Sequence, residues 1–181
     1  MRLGFCGSPA LAVPVLDALV AAGHDVALVV SMPDRPRDRR GRSTPTPVKA
    51  AAQRHGIDVA DDVTALLSRG LDLAVVVAYG AMVPTSVLDA MPVLNLHFSL
   101  LPRWRGAAPV ERAILAGDAQ TGVCVMGLEP TLDTGPVYAR GTVEVDDKDL
   151  ATLRDELVAV GTSLLVALLA GSVDDLPEPV A

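Results

Sequence analysis

Short apolar runs alternate with helix-like segments along this chain, and this alternation constrains the fold more than any other feature. Short apolar segments, most of them rich in Val and Leu, predict buried strands at residues 2–6, 25–31, 71–78 and 93–98. Helical segments are predicted between these strands, and an amphipathic helix is predicted over residues 150–169. Strands that alternate with helices favour a mostly parallel sheet covered on both faces, so an α/β fold is predicted.

Local signals refine the helices at the two ends of the chain. Ser8 precedes Pro9, so Ser8 is predicted to cap the first helix, although Pro14 favours a start near Val13. In the closing helix, the residues predicted to form one apolar stripe are Leu153, Leu157, Val160, Leu164 and Leu168.

Length and composition narrow the class of protein. The 181 residues are expected to form one domain over residues 1–171, followed by an acidic tail or linker stub over residues 172–181. No apolar run is long enough to span a bilayer and no signal sequence is recognisable, so a cytoplasmic protein without a membrane partner is expected. Cys6 and Cys124 lie in apolar runs and are predicted to be reduced core residues.

The segment from Asn95 to Pro109 carries the clearest chemical signal. Asn95 and His97 lie two residues apart on a predicted strand, so both side chains project from one face. The chain then enters a loop that holds two arginines and its single tryptophan, Trp104. Polar groups at the carboxyl end of a strand are suited to a catalytic crevice in an α/β sheet. Taken alone, an Asn-x-His pair is more often structural, and Asp133 would be interpreted as a turn residue.

Other motifs argue against several common types of site. The first strand–helix turn lacks the full G-x-G-x-x-G spacing and no P-loop sequence is present, so a nicotinamide or ATP site is not favoured. The three histidines are widely spaced, and no metal is predicted. Ser99 does not lie in a G-x-S-x-G turn, which argues against a serine hydrolase.

Charge is unevenly distributed along the sequence. The net charge of −7 opposes general nucleic-acid binding by the whole surface. Five arginines nevertheless crowd into one loop that contains Pro and Gly: Arg35, Arg37, Arg39, Arg40 and Arg42. This arginine loop is either a solvated surface segment or an anion-binding finger that reaches toward phosphates.

Five segments, in order along the chain, together resemble a known family. They are Pro33-Asp34-Arg35-Pro36, Pro45-x-Pro47-Val48-Lys49, Val77-Ala78-Tyr79-Gly80, the segment from Asn95 to Pro109, and Leu132-Asp133-Thr134-Gly135. The chain resembles the folate-dependent formyltransferase family, and most closely the catalytic domain of members that act on methionyl-tRNA. The resemblance implies a Rossmann-like, doubly wound sheet and 10-formyltetrahydrofolate as the formyl donor.

The resemblance also implies roles for individual residues. The implied catalytic residues are Asn95, His97 and Asp133. The implied contacts with the folate donor are Ala78, Tyr79, Gly80, Met82, Val83, Pro84, Ser99, Leu100, Leu101 and Pro102. The implied contacts with the acceptor are Arg35, Arg37, Arg39, Arg40, Arg42, Arg103, Trp104 and Arg105.

These residue types suit transfer of a formyl group to an amine. An amide and an imidazole N–H can stabilise the oxyanion that develops on the formyl oxygen. A carboxylate at Asp133 can fix the tautomer of His97 or accept the proton that the amine loses. The expected acceptor is methionyl-tRNA, possible alternatives being an amino sugar or a carrier-bound aminoacyl group. A folate-binding module without turnover is the remaining alternative.

The chain also departs from the family pattern. Phe98 follows His97 where many members have a small residue, which implies a reshaped neighbouring pocket. The region between Arg54 and Leu71 is shorter than usual, so one strand–helix unit is expected to be trimmed. The C-terminal β-barrel domain that the tRNA-directed members carry is not part of this sequence, and half of their RNA-binding surface is therefore expected to be missing.

Overall fold

A computed structural model describes residues 1–36, 43–171 and 176–180 of the chain. The chain falls into two compact units, Met1–Met91 and Pro92–Ala181. The predicted division into a domain over residues 1–171 and a tail stays a prediction. In the predicted tail, the backbone N–H of Val180 donates to the Val137 carbonyl over 2.7 Å.

The first unit contains short strands and helices in alternation. Its strands are β1 (Arg2–Gly7), β2 (Asp25–Val30), β3 (Arg35–Pro36), β4 (Ser43–Thr44), β5 (Val59–Ala60) and β6 (Leu73–Val77). Its α-helices are α1 (Val13–Ala21), α2 (Pro47–Arg54) and α3 (Thr85–Leu88), and 3-10 helices cover Ala10–Ala12 and Val63–Ser68.

Four strands of this unit form a parallel sheet in the order β5-β2-β1-β6. Every residue of β6 is buried, and so are residues 3–7 of β1. A parallel sheet is covered on both faces, so its strands consist of nearly continuous apolar residues. The sequence pattern predicts these strands correctly for this reason. The remaining two strands, β3 and β4, pair with each other in antiparallel fashion.

Ser8 joins the segments that follow three strands, and it does not cap the first helix. Its hydroxyl donates to the Tyr79 carbonyl over 2.8 Å and accepts the Met32 backbone N–H over 3.2 Å. No side chain caps the 3-10 helix or α1, so the predicted cap is wrong. The hydroxyl instead satisfies backbone groups after β2 and β6. The helix does begin at Val13 with Pro14 in its first turn, as predicted.

The second unit has antiparallel strand pairs and one long helix. Its elements are β7 (Val93–His97), α4 (Pro109–Leu115), β8 (Gln120–Gly127), β9 (Val137–Glu144) and α5 (Leu150–Leu168). β8 pairs with β7 on one side and with β9 on the other, both in antiparallel fashion. Asn95 lies opposite Met126, and His97 lies opposite Cys124. β7 thus carries the predicted amide and imidazole in a regular ladder with β8.

The buried face of α5 differs in part from the predicted stripe. Leu153 and Leu157 are buried as predicted, whereas Val160, Leu164 and Leu168 are only half-buried. The remaining buried positions are Val158, Gly161 and Leu165. A Cβ on Gly161 would lie 2.9 Å from both Leu96 and Val123, so the helix backbone approaches the strands closely there. A glycine contributes no apolar side chain to a sequence pattern, and the stripe is therefore misplaced by one position in the second half of the helix.

Three further expectations concern the core and the connections. Cys6 and Cys124 are both buried and unbridged, as predicted. Between α2 and β6, the described chain contains β5 and a 3-10 helix over Val63–Ser68 but no α-helix. No helix within the described residues has the length and apolar composition required to cross a bilayer.

Candidate active site

His97 and Asp133, which are 36 positions apart in sequence, come together in the second unit. His97 Nδ1 lies 3.7 Å from Asp133 Oδ2. Their side chains are only 7% and 6% exposed. At this distance the two groups form an ion pair if the imidazole is protonated, but not a hydrogen bond of ordinary length. The proximity that the catalytic prediction requires is present, while the catalytic roles stay predictions.

The loop between β8 and β9 holds Asp133 in place. Its base is closed by the Gly127 N–H, which donates to the Pro136 carbonyl over 2.8 Å. Asp133 itself has a φ of +50°, a left-handed conformation that is unfavourable for a residue with a Cβ. The Gly106 N–H donates to Asp133 Oδ2 over 2.7 Å, which orients the carboxylate. A Cβ on Gly135 would overlap the Gly127 carbonyl, so the loop closes only with glycine there.

The tautomer of His97 follows from its second contact. His97 Nε2 lies 3.1 Å from the backbone carbonyl oxygen of Trp104. A carbonyl can only accept a hydrogen bond, so Nε2 carries a proton and donates it. In the neutral ring, Nδ1 is then unprotonated and faces Asp133. In that ring form, two groups able to accept a proton, Nδ1 and the carboxylate, face each other.

Asp118 anchors the loop that supplies the Trp104 carbonyl. The Trp104 indole N–H donates to Asp118 over 2.7 Å, and Arg103 donates to both carboxylate oxygens over 2.9 and 2.6 Å. The Arg103 guanidinium also lies 4.4 Å from the centre of the indole ring. The hydrogen bonds from Arg103 and then from Trp104 lower the pKa of the Asp118 carboxyl below its ordinary value.

The predicted acceptor residues of this loop differ in their surroundings. Arg103 and Trp104 are bound to Asp118, so their polar groups already have an internal partner. Arg105 is exposed and forms no ion pair within the described part of the chain. Asn95 projects from the same face of β7 as His97 and is half-exposed, so its amide is accessible to a ligand.

The first predicted folate segment, residues 99–102, lies directly after β7. Ser99 is fully buried and its hydroxyl donates to the Arg103 carbonyl over 2.6 Å. Leu100 lies against β8, where a Cβ on Gly122 would overlap its side chain. Leu101 is half-buried, whereas Pro102 is exposed. The Ser99 hydroxyl thus supports the loop, while Leu101 and Pro102 are accessible to a ligand.

The second predicted folate segment, residues 78–84, belongs to the first unit and follows β6. Ala78 and Gly80 have positive φ angles of 47° and 95°, so the chain turns sharply there. Tyr79 is buried, and burial is the main cause that raises its pKa. Met82 is 64% exposed, an unusual position for a large apolar side chain. Val83 and Pro84 are half-buried.

Most of the arginine loop lies outside the described residues. This applies to Arg37, Arg39, Arg40 and Arg42. The backbone of Arg35 pairs with Thr44 in the β3–β4 ladder. The prediction that these arginines bind the acceptor therefore stays a prediction. No cluster of three or more His, Cys, Asp or Glu side chains suited to a metal occurs among the residues that the structure covers.

Sequence reasoning missed Asp118, which has the most hydrogen bonds to the loop after β7. Its partners are 14 and 15 positions away, and the spacing matches no local motif. The two arginines of Arg103-Trp104-Arg105 were the one available signal, because guanidinium groups commonly pair with carboxylates. That signal does not identify which carboxylate.

Similar proteins are known for nearly the whole chain. The methionyl-tRNA formyltransferase of Novosphingobium aromaticivorans is 52% identical over 180 residues, which cover 94% of this chain and 60% of that protein. The methionyl-tRNA formyltransferase of Roseobacter denitrificans is 49% identical over 192 residues, which cover 99% of this chain and 63% of that protein. The chain thus spans less than two thirds of the length of these curated relatives.

Solved structures and a family profile agree with this similarity. A crystal structure of phosphoribosylglycinamide formyltransferase from Bacillus halodurans matches with a TM-score of 0.77 and 25% identity, covering 92% of both chains. Another, from Anaplasma phagocytophilum, matches with a TM-score of 0.77 and 20% identity, covering 94% of this chain and 87% of that chain. These matches confirm the predicted Rossmann-like α/β fold class. Residues 1–169 match the profile described as Formyl transferase, and the chain therefore belongs to the formyl transferase family.

Proposed function

We propose that this chain transfers the formyl group of 10-formyltetrahydrofolate to the amino group of methionyl-tRNA. The buried His97–Asp133 pair next to the half-exposed Asn95 is the observation that carries the proposal. Relatives at 49–52% identity are named methionyl-tRNA formyltransferases, which supports this acceptor. A cytoplasmic location is part of the same proposal, because translation begins there.

The three side chains divide the chemistry between them. When bound, 10-formyltetrahydrofolate supplies the formyl carbon, which forms a bond to the amine nitrogen and loses its bond to the folate nitrogen. The Asn95 amide donates a hydrogen bond to the formyl oxygen as negative charge develops there. His97 Nδ1 and Asp133 accept the proton that the amine loses and return it to the leaving nitrogen. The amide donor thus serves the formyl group of the donor, and the proton-accepting pair serves the amine of the acceptor.

The acceptor is bound, in this proposal, by arginines other than the one bound to Asp118. Arg105, which is exposed, is the first of them, and the arginine loop is the second source of positive charge. Arginine is suited to phosphate because its guanidinium presents paired N–H donors. Arg103 is assigned a different part, since Asp118 already neutralises its charge.

Phosphoribosylglycinamide is the second candidate acceptor. The solved structure from Bacillus halodurans is named a phosphoribosylglycinamide formyltransferase, and it matches 92% of both chains. The identity of 25% is half of that to the methionyl-tRNA formyltransferases, which is why this acceptor ranks second.

Incubation with 10-formyltetrahydrofolate and separate acceptors tests the proposal. The acceptors are charged initiator tRNA, phosphoribosylglycinamide, an amino sugar and an aminoacyl carrier protein, each analysed by mass spectrometry. We expect the mass gain of one formyl group on methionyl-tRNA. A gain only on another amine would overturn the acceptor, and folate binding without any gain would indicate a binding module.

A further inference from the structure

Three N–H donors converge on the carboxylate of Asp118, just after α4. Arg103 Nε and Nη2 donate to its two oxygens, and the Trp104 indole N–H shares Oδ2. Bidentate arginine–carboxylate contacts fix direction as well as distance. A carboxylate that accepts from two consecutive residues therefore restrains the backbone between them.

The restrained backbone has a conformation that needs support. Trp104 has a φ of +59°, which is a rare conformation for a bulky residue and persists only when its surroundings impose it. Asp118 holds the Trp104 side chain, and the buried Ser99 hydroxyl holds the preceding carbonyl, that of Arg103. The stacked guanidinium of Arg103 covers the indole ring at 4.4 Å. The loop is thus fixed on both sides of the Trp104 backbone.

The backbone conformation of Trp104 sets the direction of its own carbonyl group, and this carbonyl is the hydrogen-bond partner of His97. It lies 3.1 Å from His97 Nε2, and this contact selects the tautomer in which Nδ1 faces Asp133. We propose that Asp118 is a positioning residue: through Trp104 it fixes the ring and tautomer of His97. Its effect on formyl transfer rests on the proposed function, but its effect on the imidazole does not.

This assignment divides the Arg-Trp-Arg segment into two parts. Arg103 and Trp104 form an internal clamp with Asp118, whereas Arg105 is left to contact the acceptor. A purely structural ion pair would support stability without affecting the histidine. The two possibilities therefore differ in whether loss of the Asp118 contacts changes the tautomer of His97.

Nitrogen NMR of histidine-labelled protein distinguishes them. The variants are Asp118→Ala, which removes all three bonds, and Trp104→Phe, which removes only the indole donor. The matched control is Glu111→Gln, which breaks an ion pair with Arg154 in the same unit. The His97 signals, assigned by their loss in His97→Gln, are expected to show a protonated Nε2 in wild-type protein and averaged tautomers in both variants. Wild-type-like His97 signals in folded Asp118→Ala and Trp104→Phe would overturn the proposal.

Kinetics supply a second readout once an acceptor is established. We expect kcat to fall by about 10- to 100-fold in Asp118→Ala, with KM for the formyl donor unchanged, because a displaced catalytic group costs rate more than binding. The Asp118→Ala/Trp104→Phe double variant should lose no more than the worse single variant, since both act through one contact. Additive losses would contradict the clamp. Absence of turnover in wild-type protein would reject the proposed function alone, because the NMR result stands independently.

Discussion

His97 and Asp133 are almost wholly removed from water, so each depends on nearby protein groups for its polar partners. Asp133 accepts the Gly106 N–H, and His97 donates to the Trp104 carbonyl. A buried carboxylate without partners is costly, and the imidazole at 3.7 Å is the one group of this set that can gain a positive charge. The two side chains are therefore held next to each other mainly by contacts with the protein and not with water.

The first prediction concerns the three residues assigned to chemistry. Asn95→Ala is expected to lower turnover by about a hundredfold or more, because it removes a donor to the developing oxyanion. His97→Ala and Asp133→Ala are expected to lose turnover because they remove the proton-accepting pair. Initial rates measure the loss, and fluorescence titration should show that all three variants still bind folate. Gln120→Ala, at an exposed amide on β8, serves as the control. Wild-type turnover in all three variants would remove the assignment.

The second prediction isolates the backbone of Gly106. Its φ is +83°, a backbone conformation that is unfavourable for alanine. A Cβ there would contact only Leu132, at 3.5 Å, so there is enough space for the methyl group. Gly106→Ala should lose about 1–2 kcal/mol of unfolding free energy and lower kcat, because the N–H that orients Asp133 moves. Gly23→Ala is a matched control with a φ of +85° and open space around it. Urea unfolding should show that both variants lose a similar amount of unfolding free energy, whereas kcat should fall only in Gly106→Ala. An equal fall of kcat in both variants would contradict the prediction.

At the scale of elements, β7 and its loop are positioned by close backbone approaches to neighbouring segments. Gly122 on β8 lets Leu100 lie against the strand, and Gly161 on α5 lets the helix approach Leu96. Leu96 lies between Asn95 and His97 on β7. Small residues therefore set how closely the supporting elements approach the strand that carries the site.

The third prediction tests the support that β8 gives to residues 99–102. A Cβ on Gly122 would overlap both the Gly141 carbonyl oxygen and the Leu100 side chain. Gly122→Ala should lose about 1–3 kcal/mol of unfolding free energy, because overpacking against backbone cannot relax easily. It should also raise KM for the formyl donor, since the displaced segment is predicted to contact folate. Gly4→Ala crowds the Leu66 and Leu71 side chains in the first unit and serves as the control. An unchanged KM in a destabilised Gly122→Ala would contradict the predicted contact.

Elements were more predictable from sequence than the links between them. β1 and β6 follow from continuous apolar runs, and the motif around Asn95 and His97 identifies the strand of the candidate site. Ser8 was assigned to a helix cap because local spacing does not show that its hydroxyl reaches Tyr79, 71 positions away. Asp118 was missed for the same reason. Hydrogen bonds between distant segments depend on the fold, so residue spacing alone does not predict them.

At the scale of the whole molecule, the candidate residues belong to different units. Asn95, His97 and Asp133 lie within Pro92–Ala181, whereas the predicted donor contacts at residues 78–84 lie within Met1–Met91. The family profile spans residues 1–169 and therefore includes both units. Stability of either unit is consequently relevant to the proposed activity.

The core of the first unit contains a titratable group, the Cys6 thiol on β1. Burial raises its pKa from 9.0 to about 12. Between these values the unfolded chain loses the thiol proton while the folded chain keeps it, so the stability of the fold decreases as pH rises. Below pH 9 both states keep the proton, and this contribution is absent.

The fourth prediction is an alkaline loss of stability that depends on Cys6. Between pH 8 and pH 10, urea unfolding under reducing conditions should show that wild-type protein loses about 1.4 kcal/mol more than Cys6→Ala, since one pKa unit corresponds to about 1.36 kcal/mol. Comparing the change with pH removes the packing cost of the substitution itself. Burial also raises the pKa of Cys124. Cys124→Ala should therefore also lose less unfolding free energy at alkaline pH than wild-type protein does. Equal pH dependence in wild-type protein and Cys6→Ala would mean that the Cys6 thiolate forms as readily in the fold as in water.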